Sequence, residues 1–423
     1  MLSTDSADLR PVQLAWLAAA VFVVSAGYGA LLPLLPGWLT SMMPSATATE
    51  IARHIGFLSG VYSAGVLVGA PLWGVVSDRV GRGRILIIGL VGYVASLLLM
   101  LVPAFAGLWG IYALRGATGF FVAAVVPVVS ALVADYTPEE QRARRFAWLG
   151  AMSLLGFLFG PALNALANGV GSWAGEGAAS SARSAQIVIV LSALLGAVMM
   201  LGLAWLLPAS RTPDAAAQND RATTPNERTS ALWWLSGAVM FVLAGFELGI
   251  VLQGQQHTSL SSREVALMFA ECSLVMLGIN ALLFFTSLQE KTSARSLMSA
   301  GLILAMAGLA VLAQHRAEAW MYLGVSLTAA GTGLVLPVIS YLAAGTSRQK
   351  LGVTMGGLAA AAGFGQTLGS AAGGWLFGAL AQRSFGWLTL PLVVMLILLV
   401  ARPAWWSPIP AEFVRRPTGG SRF

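Results

Sequence analysis

Three ionisable side chains sit inside long apolar runs: Arg115, Glu247 and Glu271. Placing any of them in hydrocarbon costs on the order of 3 kcal/mol on insertion scales, so each must face a cavity or a partner. Counted from the ends of their runs, all three lie about 10 Å below the same surface at 1.5 Å per residue. Two carboxyls and one guanidinium at one depth suit a reversible proton carrier. A carboxyl in poor solvent exchanges a proton between charged and neutral forms of similar energy. The expectation is that Glu247, with Glu271, takes up protons on one side and releases them on the other. Arg115 then stands across the cavity as counter-charge or anion-binding group. The plainer alternative is that Glu271 snorkels or ties two helices together, and that Arg115 only pairs with a carbonyl or a glutamate to hold a bundle.

The runs that carry these residues are long enough to cross a membrane. The chain is 57% hydrophobic and 10% charged, with 48 glycines in 423 residues, and its mean hydropathy is +0.79. Such a composition excludes an ordinary soluble protein. Spanning stretches fall at 12–36, 55–77, 85–104, 107–133, 146–168, 186–207, 231–253, 264–288, 296–314, 318–344, 352–380 and 384–402, which makes twelve helices. The longest polar stretch, Pro208 to Ser230, is too short and too rich in Pro, Thr, Asn and Asp to fold on its own. The expected organisation is a six-helix bundle over 1–207, a linker over 208–230, a second six-helix bundle over 231–403 and a tail over 404–423. The fold class is therefore an all-α membrane protein of two pseudo-symmetric bundles. In the first run, Pro33 and Pro36 are expected to end the helix, and with no small-residue cleavage site it reads as a retained span.

Charge sorts the loops. With the turn Asp78–Arg84 inside, eighteen of the 24 Lys and Arg fall on that side with both termini, five fall outside, and Arg115 is within a span. The three histidines come out on the other side. The net charge of +7 is thus a topology signal and not a mark of nucleic-acid binding. Cys272 is the only cysteine and lies in an apolar run, so neither a disulfide nor a cysteine metal site is expected, and no cofactor. No Gly-x4-Gly-Lys-Ser/Thr loop exists to bind a nucleotide. Polar or aromatic candidates to line a substrate cavity are Tyr28, Asn164, Gln253, Asn280, Tyr341 and Gln366. Trp16, Trp233, Trp234, Trp405 and Trp406, near span ends, are expected as interface anchors.

The short turn after the second run reads Gly74-Val75-Val76-Ser77-Asp78-Arg79-Val80-Gly81-Arg82-Gly83-Arg84. A carboxylate at a helix C-terminus meets the negative end of the dipole, so Asp78 needs compensation from Arg79 or Arg82 or from the N-terminus of another helix. This Gly-x3-Asp-Arg-x-Gly-Arg-x-Arg pattern resembles the signature of the major facilitator superfamily between spans 2 and 3. Gly156-x3-Gly160-Pro161 in span 5 resembles the antiporter signature of its drug:proton antiporter branch, although the glycine pair that follows there is Asn164-Ala165 here. Gly27 to Pro36 in span 1 is also like that branch. Arg115 to Gly119 resembles the family's Arg-x-x-x-Gly motif, whose arginine is associated with proton transfer. Span 11 repeats the glycine spacing as Gly365-x3-Gly369-x3-Gly373; Pro127 and Pro337 precede the two glycine sets by 29 and 28 residues. The turn Gln289-Glu290-Lys291 is a degenerate copy of the first motif. Spans 1 to 3 lack the cavity acid that many drug antiporters carry.

The resemblance implies a monomeric secondary transporter in the lipid bilayer of a bacterial inner membrane, exporting small organic molecules in exchange for protons. A dedicated exporter of an anionic metabolite such as a siderophore, and a proton symporter for uptake, are the alternatives.

Overall fold

A computed structural model describes residues 9–137, 139–173, 181–207, 227–256, 260, 262–286, 292–344 and 348–406. Most of the expected linker, most of the tail, His257 and the Gln289–Lys291 turn lie outside the described residues.

All the described spans are α-helical. Span 1 is Pro11–Met42, span 2 Ala48–Val80, span 3 Arg82–Leu99 and span 4 Leu108–Asp135. Span 5 is Glu139–Trp173, span 6 Ser181–Leu206, span 7 Glu227–Gln256, span 8 Ser262–Phe285, span 9 Ala294–Gln314, span 10 Glu318–Ala344 and span 11 Arg348–Leu380. Span 12 is built from Ser384–Trp387 and Thr389–Ala401. The helices overrun the apolar runs because their polar ends carry their own caps. Span 2 begins seven residues earlier than its apolar stretch, where the Thr47 hydroxyl accepts from the Glu50 backbone N–H at 3.2 Å and the Glu50 carboxylate accepts from the Thr47 N–H at 2.7 Å. A cap of this kind contributes about 1 kcal/mol.

Pro33 and Pro36 do not end span 1. The chain passes through a 3-10 turn, Leu32–Leu34, and resumes as the helix Leu35–Met42. Each proline occupies the first turn of its segment, where the missing N–H has no partner to lose. Pro127 likewise follows a break at residues 123–125 in span 4. Its counterpart Pro337 lies within one continuous helix.

The glycines set which spans approach. In the first bundle Gly156 lies against Phe22 and Ser25, and Gly160 against Gly29 and Ala30, so span 5 packs on span 1. In the second, Gly365, Gly369 and Gly373 lie against Gly237, Phe241 and Gly245, so span 11 packs on span 7. The repeat extends to spans 2, 4, 8 and 10. Tyr112 and Tyr322, Thr118 and Thr328, and Pro127 and Pro337 on spans 4 and 10, and Arg53 and Arg263 and Ser63 and Ser273 on spans 2 and 8, are each 210 residues apart.

Spans 2 and 11 join the two bundles. A Cβ at Gly56 would lie 2.7 Å from the Gly374 Cα, one at Gly60 3.3 Å from the Thr367 carbonyl, and one at Gly363 3.1 Å from Leu67. The Thr49 hydroxyl donates to the Gly378 carbonyl at 3.0 Å. Beyond Leu67 and Gly363 this ladder stops. A Cβ at Gly74, Gly150, Gly278 or Gly356, on the four spans that face across the molecule, would meet no atom within 4 Å. Among the described residues the halves are in contact at the end bearing His54, while these four glycines toward the end bearing Arg82 face open space.

Several span-end tryptophans are held by protein. Trp406 is 2% exposed, the Trp405 indole N–H donates to Glu227 at 3.3 Å, and that of Trp233 donates to the Thr354 carbonyl at 3.0 Å. Trp406 and Trp233 are therefore packing residues instead of the expected interface anchors, because each fills a gap beside a neighbouring helix. Trp234, 72% exposed, keeps the position of an anchor.

Candidate functional site

Arg115 is buried, 2% exposed, two turns into span 4. Its guanidinium lies over the Tyr62 ring at 4.8 Å and near the Tyr28 ring at 6.0 Å. Cation–π contacts contribute up to about 2 kcal/mol each when desolvated. Taking a cation out of water costs several kcal/mol even after relaxation. The two rings alone do not offset this, and Nε and Nη2 have no hydrogen-bond partner among the described residues. The arrangement is suited to receive an anionic or strongly accepting group.

Glu247 enters from span 7 between the buried Phe246 and Leu248 and is itself half-buried. No ion pair joins it to Arg115 among the described residues. Tyr28 stands within electrostatic reach of both. The Tyr28 ring packs on Tyr62 at 5.0 Å and on Phe157 at 5.8 Å, and Phe157 meets Phe269 of span 8 at 5.6 Å. Spans 1, 2, 4, 5, 7 and 8 thus contribute to one aromatic array with a cation over its rings and a carboxyl within electrostatic reach of Tyr28.

Glu271 points elsewhere. Phe269 faces span 5, and two residues on, at 100° per residue, Glu271 turns toward span 10. There it accepts a hydrogen bond from the Ser326 hydroxyl, while its Oε2 is buried with no partner among the described residues. Cys272, buried, lies within electrostatic reach of both Glu247 and Glu271.

The other cavity candidates scatter. Gln253 is fully buried, and neither amide atom has a partner among the described residues. Asn164 is buried with its Oδ1 in the same condition. The Asn280 amide donates to the Met276 carbonyl of its own helix at 2.8 Å. Gln366 is half-buried. Tyr341 is 49% exposed, near the Arg82 end.

At the Arg82 end, Gly81 takes φ 103°, a left-handed conformation that turns the chain between spans 2 and 3 in one residue. This aims Arg82 back at Asp78, 3.4 Å away, and at Asp135, 2.9 Å away. Arg82 is the local compensation that Asp78 requires; Gly74 stands in open space on the same helix. Asp135 was not among the residues singled out from the sequence, although the signal is there. It is a second carboxylate at a helix C-terminus on the basic side, the same electrostatic oddity as Asp78.

The model of the Major Facilitator Superfamily matches residues 17–283. The chain belongs to the major facilitator superfamily. It is 26% identical over 392 residues to the class D tetracycline resistance protein of Salmonella ordonez, covering 89% of this chain and 94% of that protein. A 153-residue stretch is 36% identical to the class B tetracycline resistance protein of Escherichia coli and covers about a third of each chain, 36% and 34%. The fold of the human organic anion transporter MFSD10 superposes with a TM-score of 0.68 at 19% identity, over 92% of this transporter and 100% of that chain. The transporter is a multi-pass membrane protein and not an enzyme.

Proposed function

We propose that the transporter exports planar, partly aromatic organic molecules from the bacterial cytoplasm in exchange for protons, and that Glu247 carries the proton. The observation that carries this reading is Tyr28, near the Arg115 guanidinium and within electrostatic reach of Glu247, in a continuous array of rings. A substrate stacked on that array touches both charges, so a proton on Glu247 and a bound molecule compete for one space. Exchange follows from that competition. The excess of basic residues at the Arg82 end supports a cytoplasmic placement of that end, in the bacterial inner membrane that this reading assigns. The relatives named for tetracycline resistance support export of such molecules. The drive is the proton gradient, worth about 2.3 kcal/mol per charge per 100 mV of potential.

The test uses inverted membrane vesicles with an acid interior, to which tetracycline, a fluoroquinolone and cationic, neutral and anionic comparison compounds are added. Proton release by wild type on addition of several of them, and none by Glu247→Gln, is the expected result. Undiminished release by that variant removes Glu247 from the mechanism. The unpartnered donors of Arg115 favour one second reading, an exporter dedicated to an anionic metabolite; release with anionic compounds alone selects it.

A further inference from the structure

Span 10 presents Glu318, Tyr322 and Ser326 at four-residue intervals, hence on one face. Span 8 faces it with Glu264 and Glu271, seven residues apart. Tyr322 is within electrostatic reach of Glu318, Glu271 and Glu264, and Ser326 donates to Glu271. Inside span 8, Cys272 links the surroundings of Glu271 to those of Glu247. Carboxyls and hydroxyls therefore run from the His54 end of the second bundle to the half-buried Glu271, away from the Tyr28 array.

The first bundle shows what this column replaces. At the positions 210 residues earlier, His54 meets the Tyr112 hydroxyl at 2.9 Å. Deeper, Gly116 lies against Val61, 3.0 Å from where a Cβ would stand. The second bundle has Glu264 and Tyr322 for the outer pair, and Glu271 and Ser326 for the alkyl and glycine of the inner one. A hydrogen-bonded carboxyl has been placed where the matching packing site needs none. On the central side, spans 2 and 11 are in contact toward the His54 end at Gly56 and Gly374.

We propose that protons from the His54 side reach Glu271 through the second bundle itself, between spans 8 and 10, past Glu264 and Glu318 and through the hydroxyls of Tyr322 and Ser326. This rests on the proton-exchange reading above and adds the path to it. Each hydroxyl accepts a proton on one lone pair and gives up its own to the next oxygen, so no charge needs to be stored on Tyr322 or Ser326. Glu271 is charged from this side while the substrate route faces the Arg82 end.

The experiment is infrared difference spectroscopy on the full chain in oriented proteoliposomes. The carboxyl bands of Glu271 and Glu247 are identified by their loss in Glu271→Gln and Glu247→Gln. Acidification from the His54 side alone is expected to raise the Glu271 band in wild type. Tyr322→Phe and Ser326→Ala are expected to slow that rise on the order of tenfold or more, as loss of a positioned proton-transfer group does. Ser326→Thr, which keeps the hydroxyl, restores it, and the response of the Glu247 band to acidification from the Arg82 side is unchanged throughout. A Glu271 band that rises only on acidification from the Arg82 side, or at the wild-type rate in Tyr322→Phe and Ser326→Ala, overturns the path. Those outcomes leave coupling by Glu247 standing if its own band still titrates. Failure of both bands to respond from either side removes proton exchange and the path together.

Discussion

On the proposed reading, Arg115 acts as a planar, permanently charged fork. Its contacts are ring faces, 4.8 Å from Tyr62 and 6.0 Å from Tyr28, which a guanidinium covers and a compact, strongly hydrated ammonium does not. Arg115→Lys keeps the charge and loses the stacking. We expect on the order of tenfold weaker binding of an anionic or amphoteric substrate such as tetracycline to the purified protein, equal to about 1.4 kcal/mol. Binding of a cationic dye such as ethidium should change far less. Equal losses for both would mean that Arg115 holds the bundle and does not read the substrate.

Elements meet where side chains are absent. A methyl at Gly56 would stand 2.7 Å from the Gly374 Cα and 2.9 Å from the Ser370 carbonyl, so backbone and not a movable side chain must yield. Overpacking of this kind costs about 1–3 kcal/mol, and it is felt only while spans 2 and 11 touch. Gly56→Ala is therefore expected to shift the population toward a form open at the His54 end by about tenfold or more. A cysteine at Ala52, beside that seam, should then react correspondingly faster with an impermeant maleimide in a Cys272→Ser background. An unchanged rate would show that the seam is not a moving joint. Much at this scale is legible in the sequence: the apolar runs find the twelve spans, and the glycine periods find which faces approach. The pairing across bundles is not legible, because nothing in the composition of span 2 says that Gly56 meets span 11. The same applies to Glu271. Its apolar surroundings mark it as unusual, but only the rotation of span 8, fixed by Phe269 on Phe157, turns it to Ser326 instead of the central array. Tyr62 went unnoticed for a related reason: an uncharged aromatic in a span carries no cost that would flag it, yet it forms one wall of the Arg115 site.

For the whole molecule, contact at one end and open space at the other among the described residues lead us to expect that the two bundles rock about the proposed site between them. The Thr49 hydroxyl and the Gly378 carbonyl, 3.0 Å apart, mark a place where the closed end can be pinned. Thr49→Cys with Gly378→Cys, in a Cys272→Ser background, is expected to form a disulfide on oxidation, to stop vesicle uptake of tetracycline, and to recover it on reduction. Because Cys272 is the only native cysteine, no other thiol competes. Continued transport with the disulfide formed would rule out separation at this end as part of the cycle.

The 210-residue offset between Tyr112 and Tyr322 sets matching positions of the two halves side by side, and they differ in chemistry at the same depth. One half has alkyl and glycine at the inner position, Val61 and Gly116, and a guanidinium among tyrosines; the other has Glu271 there and the serine that holds it. Two identical halves could not differ in this way, whereas a single chain lets each inner position be set on its own.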